Sequence, residues 1–190
     1  QTSACLVPGA RRCVEEPGDA LTAFPDGRVV VRTSDSGGDK PVGPRDGPGE
    51  ANPFLGERGI RRSLGPDADV FEAQLRALVR AAGAESGGTL SVLLPMISTV
   101  EEVVAARETM ESVAADLGVV DHALPELGVM IETPAAALIA AELVDHVDFL
   151  SIGTNDLTQY VMAAERGNHR VAELADPRHP AVLRAIRSAV

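Results

Sequence analysis

The chain has 190 residues, of which 45% are hydrophobic, and a formal net charge of −11 at pH 7. One globular domain of ordinary size is expected, with enough apolar residues to bury a core. The acidic balance argues against nucleic acid or an anionic membrane as a partner, because both would require a basic face. An anionic ligand would therefore need a local cluster of positive side chains.

No part of the sequence is predicted to cross a membrane. The longest apolar run, from Pro134 to Leu143, is well short of the roughly 20 residues that a spanning helix needs, and no secretory signal pattern opens the chain. Cys5 and Cys13 have no zinc-binding spacing, so we expect both to be ordinary reduced thiols. These features predict a cytoplasmic protein. The first residue is Gln1 and not Met, which is one indication of a fragment.

The chain is predicted to divide near residue 24. Pro and Gly interrupt the helical pattern of residues 1–24, which we expect to be poorly defined, and one domain is predicted over residues 25–190. Its first element, Arg28 to Thr33, is rich in β-branched residues and lies between turn-forming residues, which predicts a short buried strand. The stretch from Ser34 to Asn52 is rich in Gly, Pro and Asp and is predicted to be a long loop.

The rest of the chain alternates between predicted strands and predicted helices. The strands are continuously apolar, and amphipathic helices follow them, which is typical of a parallel sheet covered on both faces or closed into a barrel. Four strands amount to about half of an eight-stranded barrel, which typically takes ~250 residues. The later strands are Thr89 to Pro95, Leu127 to Glu132 and Val147 to Gly153, and the helices are Gly56 to Leu64, Ala68 to Ala82, Thr99 to about Leu117, Pro134 to Leu143 and Asp156 to Ala164.

Two of these helices have recognisable start signals. Thr99 with Glu102 three residues later is the pattern of a capping box. Thr133 is the expected N-cap of the next helix, since Pro134 suits the first helical position.

Two carboxylates follow successive predicted strands. Glu132 and Asp156 each stand at the C-terminal end of a strand, and the active sites of parallel barrels are built at that rim. Two such oxygen ligands, with room for water and a substrate phosphate, suit Mg²⁺. The alternative is that Asp156 only caps its helix and that Glu132 is a solvated loop residue. The spacing alone leaves both interpretations open.

Positive side chains are expected near the same rim. Arginine binds phosphate and carboxylate through paired, charge-assisted hydrogen bonds, so arginines at strand ends in an acidic chain are candidates for an anion site. Arg32 ends the first predicted strand, and Lys40, Arg58, Arg61 and Arg166 lie in or beside the loops of the rim.

Five stretches together resemble one known family. They are Val31 to Lys40 (VRTSDSGGDK), Asn52 to Arg61 (NPFLGERGIR), Gly128 to Ala137 (GVMIETPAAA), Phe149 to Tyr160 (FLSIGTNDLTQY) and Glu165 to Asn168 (ERGN). The four long motifs, in this order and at these separations, resemble the phosphoenolpyruvate-protein phosphotransferases, enzyme I of the bacterial sugar phosphotransferase system. The resemblance runs from about Arg28 to the C-terminus.

The resemblance implies a fold and an activity. The expected fold is α/β, a (β/α)8 TIM barrel of the phosphoenolpyruvate/pyruvate type, here a partial barrel lacking its first and last strands. Members of the family are kinase-like transferases that move phosphate from phosphoenolpyruvate to a histidine and then to the phosphocarrier protein HPr in sugar uptake. The complete protein is expected to be a homodimer.

The resemblance also implies roles for individual residues. Transfer of a phosphoryl group requires its negative charge to be neutralised and its atoms to be aligned, which a metal and several arginines can supply. Glu132 and Asp156 would bind Mg²⁺. The phosphate of phosphoenolpyruvate would be held by Arg32 and Arg58 with Lys40, and its phosphate and carboxylate by Asn155 and Arg166.

Two departures from the family pattern concern catalysis. The phospho-accepting histidine belongs to a separate N-terminal domain, and the cysteine acid belongs to a Gly-Met-Cys-Gly-Glu stretch expected after Val190. No catalytic residue is therefore expected in this chain, and the fragment is expected to be inactive alone. The alternatives are a phosphoenolpyruvate-binding or dimerisation module without catalysis, or a fragment of a pyruvate phosphate dikinase or phosphoenolpyruvate synthase.

Overall fold

One parallel β-sheet organises the protein. The structure is a computed structural model that describes residues 3–5, 19–37, 50–83, 88–119 and 124–190. Neighbouring strands in the sheet follow the order of the chain, and all four described pairings are parallel. The strands are β1 (Ser3–Cys5), β2 (Arg28–Arg32), β3 (Thr89–Leu94), β4 (Glu126–Ile131) and β5 (Phe149–Ile152).

The prediction of an α/β protein with a parallel sheet is confirmed. Four of the predicted strands have structural counterparts, with ends that differ by one or two residues. The sequence pattern missed β1, which pairs with Val30 to Arg32 of β2. Three residues are too few to show a period, so the neighbouring strand and not a local pattern identifies β1.

Helices follow the strands and cover the sheet. Residues 19–23 are helical and precede β2, and short 3-10 turns occur at Pro53–Leu55, Val144–His146 and Ala172–Leu174. The α-helices after β2 are α1 (Ile60–Ser63), α2 (Ala68–Ala82), α3 (Val100–Leu117), α4 (Pro134–Leu138), α5 (Ala140–Leu143), α6 (Thr154–Met162) and α7 (Pro180–Ser188).

Both predicted helix caps are present. Thr99 Oγ1 accepts from the Glu102 N–H at 3.3 Å, and the Glu102 carboxylate accepts from the Thr99 N–H at 3.1 Å, which completes the capping box. Thr133 Oγ1 accepts from the N–H of Ala136 at 3.0 Å at the start of α4. These bonds satisfy backbone groups that a helix start leaves without partners.

Three predicted helices differ from the structure. The helix predicted from Asp156 to Ala164 begins and ends two residues earlier, as α6. The segment from Gly56 to Leu64 is helical only over α1, because Gly59 has a φ of +56°, a conformation that favours glycine and that precedes the helix. The segment from Pro134 to Leu143 is interrupted at Ile139, whose φ of −105° ends α4 and begins α5. The alanine-rich sequence contains no signal for this interruption.

The hydrophobic core lies between one face of the sheet and the helices. Side chains alternate along a strand, so residues next to core residues turn to the opposite face. Arg32 and Glu132 lie next to the core residues Val31 and Ile131, and alternation therefore places both on the face away from the helices. The core includes Val29, Val31, Val92, Leu127, Val129 and Ile131 of the strands, with Leu75, Leu78 and Met110 of the helices.

Among the described residues, no helix has both the length and the apolar character that crossing a bilayer requires.

Candidate active site

Polar side chains meet at the C-terminal edge of the sheet. Arg32 is the last residue of β2, Glu132 follows β4 directly, and Asp156 lies in the first turn of α6, which follows β5. Because the strands are parallel, these ends share one edge, where ligands of α/β proteins are commonly bound. The sequence placed all three residues correctly at this edge.

Glu132 is buried, with 1% of its surface exposed. Its Oε1 accepts a 2.7 Å hydrogen bond from the N–H of Met96, which follows β3. Gly153 packs against it, since a Cβ on Gly153 would lie 2.8 Å from both Cβ and Oε2 of Glu132. The interpretation of Glu132 as a solvated loop residue is therefore wrong.

Burial raises the pKa of Glu132 to about 7. The hydrogen bond from Met96 acts in the opposite direction, and the negative charges of Asp156 and Asp35 raise the pKa further. The positive charge of Arg32 lowers it. A cation placed between Glu132 and Asp156 would relieve both the burial of charge and the repulsion between the carboxylates.

Asp156 is buried and does not cap its helix. Gly153 is the N-cap of α6, and Asp156 lies three positions further on. Its Oδ1 is 2.8 Å from Nη1 of Arg58, and its Oδ2 is 3.5 Å from Nη1 of Arg166. The contact of Oδ1 with Arg58 is an ion pair without good hydrogen-bond angles. The interpretation of Asp156 as a cap only is therefore wrong.

Arg58 reaches the C-terminal edge of the sheet from the loop before α1. Its side chain is fully buried, and its Nε and Nη2 donate to Oδ1 and Oδ2 of Asp35 at 3.1 and 3.2 Å. Burial lowers the pKa of Arg58, but the hydrogen bonds to Asp35 and the negative charges of Asp35 and Asp156 outweigh burial, so its pKa is raised above the ordinary value. Arg58 is permanently charged and offsets both buried carboxylates.

Tyr160 and Phe54 complete the surroundings of Arg58. Nη1 of Arg58 donates to the hydroxyl of Tyr160 at 3.0 Å, and that hydroxyl donates to the backbone carbonyl of Phe54. The guanidinium carbon also lies 5.7 Å from the centroid of the Phe54 ring. Burial raises the pKa of Tyr160. These contacts tie α6 to the turn before α1.

Sequence reasoning missed Asp35 and Tyr160 as parts of the site. Asp35 accepts from Nη1 of Arg32 at 3.2 Å as well as from Arg58, so one carboxylate contacts two of the predicted arginines. The spacing of Tyr160, four residues after Asp156, could have indicated a shared helix face. No comparable signal pointed to Asp35.

The other predicted residues lie at varied positions. Arg166 reaches Asp156 with 32% of its side chain exposed, while Asn155 is exposed beside Asp156 in α6. Arg61 donates to the backbone carbonyls of Leu55 and Gly56, each at 3.1 Å. Lys40 lies outside the described residues.

The donor set at this edge fits a hard divalent cation that keeps several waters. Within the described ranges, no group of three or more His, Cys, Asp and Glu side chains is placed to hold a metal. Glu132 and Asp156 form a pair of carboxylates, and Mg²⁺ is usually bound by one or two carboxylates together with substrate phosphates. The nearby arginines could bind an anionic group beside such a cation.

A cavity of about 420 Å³ lies at the other end of the strands, away from Glu132 and Asp156. Nε of Arg28 donates to Ser91 Oγ at 2.8 Å near the same end, and the Arg28 guanidinium pairs with Glu126. Ligands of parallel sheets bind at the carboxyl ends of the strands, which favours the edge with Glu132. The cavity is lined by Arg107, Glu111, Leu124, Pro125, Glu126 and Asp148.

The family is shown by comparison with known proteins. Residues 7–190 match the family of PEP-utilising enzymes, PEP-binding domain, where PEP is phosphoenolpyruvate. The chain belongs to this family. The match begins upstream of Arg28, so the family likeness extends further toward the N-terminus than the sequence motifs indicated.

Several known proteins are similar in sequence to most of this chain. The chain is 67% identical over 174 residues to a phosphoenolpyruvate-protein phosphotransferase of Haloferax volcanii, a match that covers 90% of this chain and 31% of that protein. It is 47% identical over 169 residues to the protein of that name from Latilactobacillus sakei, covering 87% of this chain and 29% of the relative. A multiphosphoryl transfer protein of Rhodobacter capsulatus is 47% identical over 171 residues, a match that covers 90% of this chain and 20% of that protein. The chain thus spans less than a third of the length of these curated relatives.

Proposed function

We propose that the chain is the PEP-binding part of a phosphoenolpyruvate-protein phosphotransferase. The observation that carries this proposal is the arrangement at the sheet edge, where Asp35 and Asp156 hold Arg32, Arg58 and Arg166 beside Glu132. Such a group combines positive charge for a phosphate with two carboxylates for a metal. The names of the relatives support PEP as the substrate.

The residues of the site would have two roles, binding of the metal and binding of the substrate. Glu132 and Asp156 would hold Mg²⁺, which when bound would offset the negative charge of the phosphoryl group. Arg32 and Arg58, with Lys40, would bind the phosphate, and Asn155 and Arg166 would bind both phosphate and carboxylate. Burial of Arg58 and Glu132 strengthens their electrostatic effect because little water screens their charges.

The proposed complete fold is a (β/α)8 barrel. In a doubly wound sheet the strand order reverses at a switch point, whereas the strands described here follow chain order throughout. The polar residues also lie on the face opposite the helices, which would be the inner face of a barrel at its C-terminal rim. Both features favour a barrel over an open sheet.

The whole protein would be a transferase that moves phosphate from PEP to a histidine outside this chain and then to the carrier HPr for sugar uptake. It would work in the cytoplasm as a homodimer, and this chain alone would bind PEP without turning it over.

The proposal is tested by the ligand selectivity of the chain. We would titrate the folded chain by calorimetry with PEP, pyruvate and inorganic phosphate in the presence of Mg²⁺. PEP is expected to bind at least ~10-fold more tightly than either partial ligand, because only PEP engages both the phosphate and carboxylate contacts. Equal affinity for pyruvate and PEP, or no binding by a chain that circular dichroism shows to be folded, would contradict the proposal.

A further inference from the structure

We propose that Asp35 is a positioning residue that holds Arg32 and Arg58 in the orientation in which they bind the phosphate of PEP. The inference rests on the proposed function and adds a residue to which no role was assigned from the sequence. Asp35 itself would not touch the substrate, since its carboxylate faces the two arginines.

The contact between Asp35 and Arg58 is a two-point contact. Both oxygens of Asp35 accept from Arg58, at 3.1 Å from Nε and 3.2 Å from Nη2, and neither side chain is exposed to solvent. A planar guanidinium held at one side by two parallel hydrogen bonds cannot rotate in its plane. Asp35 therefore fixes which nitrogen of Arg58 turns toward Asp156 and Tyr160, namely Nη1.

Asp35 also connects two separate segments. Arg32 lies at the end of β2, and Arg58 lies in the turn before α1, yet both contact Oδ2 of Asp35 at 3.2 Å. Two guanidinium groups brought together without a carboxylate would repel each other. Asp35 offsets this repulsion and lets two positive charges approach one phosphate.

The backbone around the pair permits this close approach. Gly37 has a φ of +102°, and a Cβ there would lie 2.7 Å from the carbonyl oxygen of Glu57 and 3.3 Å from Cα of Arg58. Gly59, at a φ of +56°, would bring a Cβ to 3.4 Å from Oδ1 of Asp35, and its N–H donates to the carbonyl of Ser36 at 3.2 Å. Gly37 thus allows the segment of Asp35 to pack directly against Arg58, because a larger residue there would meet the backbone of Glu57 and Arg58.

The test compares two buried Arg–Asp pairs, only one of which lies in the site. Asp35→Asn keeps the side-chain shape but removes the charge and one accepting oxygen. Asp67→Asn is the matched control, because Asp67 binds Arg62 by the same two-point contact, at 2.7 and 3.2 Å, and both side chains are largely buried. Calorimetric titrations would measure the affinity of each variant for PEP with Mg²⁺, under conditions where urea unfolding shows it to be folded.

Asp35→Asn is expected to weaken PEP binding by about 10-fold to 100-fold, the range for a charge-assisted hydrogen bond. Asp67→Asn is expected to leave PEP affinity within about twofold. It should lower the free energy of unfolding about as much as Asp35→Asn does. Equal PEP affinity in Asp35→Asn and wild type, or an equal loss in the Asp67→Asn control, would overturn the proposal.

A double-mutant cycle with Arg32→Gln shows whether Asp35 acts through the arginines. If it does, Asp35→Asn has a smaller effect on PEP affinity when Arg32 is already replaced, and the two losses do not add. Fully additive losses would contradict a positioning role through Arg32.

A ligand-free measurement separates this inference from the proposed function. The Arg58 Nε–H should give a protected signal in ¹⁵N NMR of the wild type, and Asp35→Asn should lose it, while Asp67→Asn should retain it. If the wild type binds no PEP, the proposed function fails, and the NMR result alone decides whether Asp35 positions Arg58. An unchanged Arg58 signal in Asp35→Asn would overturn the inference whatever the binding result.

Discussion

Nη1 of Arg58 lies 2.8 Å from Oδ1 of Asp156, and the two residues are 0% and 6% exposed. Arg58 comes from the turn before α1 and Asp156 from the first turn of α6, so the ion pair joins segments that follow different strands. The same guanidinium is held by Asp35 on its other side. The buried charge of Arg58 is therefore offset by two carboxylates, and replacing Arg58 removes the buried counter-ion that both of them contact.

Arg58→Gln is expected to lower the free energy of unfolding by about 3 to 5 kcal/mol, because two buried carboxylates lose the fully buried counter-ion that they share and keep the partly exposed Arg32 and Arg166. Urea denaturation at neutral pH measures this loss. The control is Arg76→Gln, which removes an ion pair with Asp116 whose side chains are 32% and 63% exposed, and it should cost at most about 1 kcal/mol. Similar losses in both variants would contradict the assignment of Arg58 as a buried counter-ion.

Tyr160→Phe is expected to lower stability by about 1 to 3 kcal/mol, because it removes the hydroxyl that links Arg58 to the carbonyl of Phe54. Thermal and urea unfolding both report this change. Thr109→Ala removes a hydroxyl that donates to Ala105 within the same helix, and its effect should stay within about 0.5 kcal/mol. No difference between these two hydroxyl deletions would mean that the Tyr160 link contributes little.

Glu132→Gln is expected to change the pH dependence of stability in the absence of divalent cations. The pKa of Glu132 in the folded chain is about 7, against an ordinary value of 4.5. The folded state therefore binds the proton more tightly, so this group's contribution to stability is present at low pH and is lost as pH rises from 4.5 through 7. As the pH rises from about 5 to about 8, the free energy of unfolding of the variant should increase by about 2 to 3 kcal/mol relative to that of wild type.

Urea unfolding of both proteins at several pH values tests this expectation. A stability difference that stays constant from about pH 5 to pH 8 would contradict the raised pKa of Glu132. A difference of opposite sign would indicate that a cation or another positive group stabilises the charged carboxylate in the folded chain.

Gly153→Ala is expected to weaken Mg²⁺ binding, because the added Cβ would lie 2.8 Å from Oε2 of Glu132 and force that carboxylate to move. Gly118→Ala is the control: Gly118 has a φ of +68°, and an added Cβ there would meet no atom within 4 Å. The control should cost roughly 1 to 2 kcal/mol of stability through its backbone conformation but leave Mg²⁺ affinity unchanged. Unaltered Mg²⁺ affinity in Gly153→Ala would argue against Glu132 as a ligand.

The sequence predicted those features of the fold that depend on local patterns. Continuous apolar runs located β2 to β5, and the capping signals at Thr99 and Thr133 located two helix starts. The interruption at Ile139 and the strand β1 were missed, because tertiary contacts and not local propensity determine them.

The candidate site could be predicted only in part for a related reason. Strand ends in a parallel sheet share an edge, so Arg32, Glu132 and Asp156 could be grouped from the sequence alone. The partners of Arg58 could not, because Asp35 and Tyr160 meet it from positions 23 and 102 residues away in the chain. Such contacts depend on how the loops pack over the edge.

We propose that Glu132 and Asp156 bind a divalent cation that takes part in binding PEP. The most direct test is the calorimetric affinity of the chain for PEP with and without Mg²⁺, for wild type and Asp156→Asn, with the exposed Asp116→Asn as control. Mg²⁺ is expected to strengthen PEP binding to wild type and to the control, and Asp156→Asn is expected to lose this gain. PEP binding that is independent of Mg²⁺ in the wild type, or a gain that persists in Asp156→Asn, would contradict it.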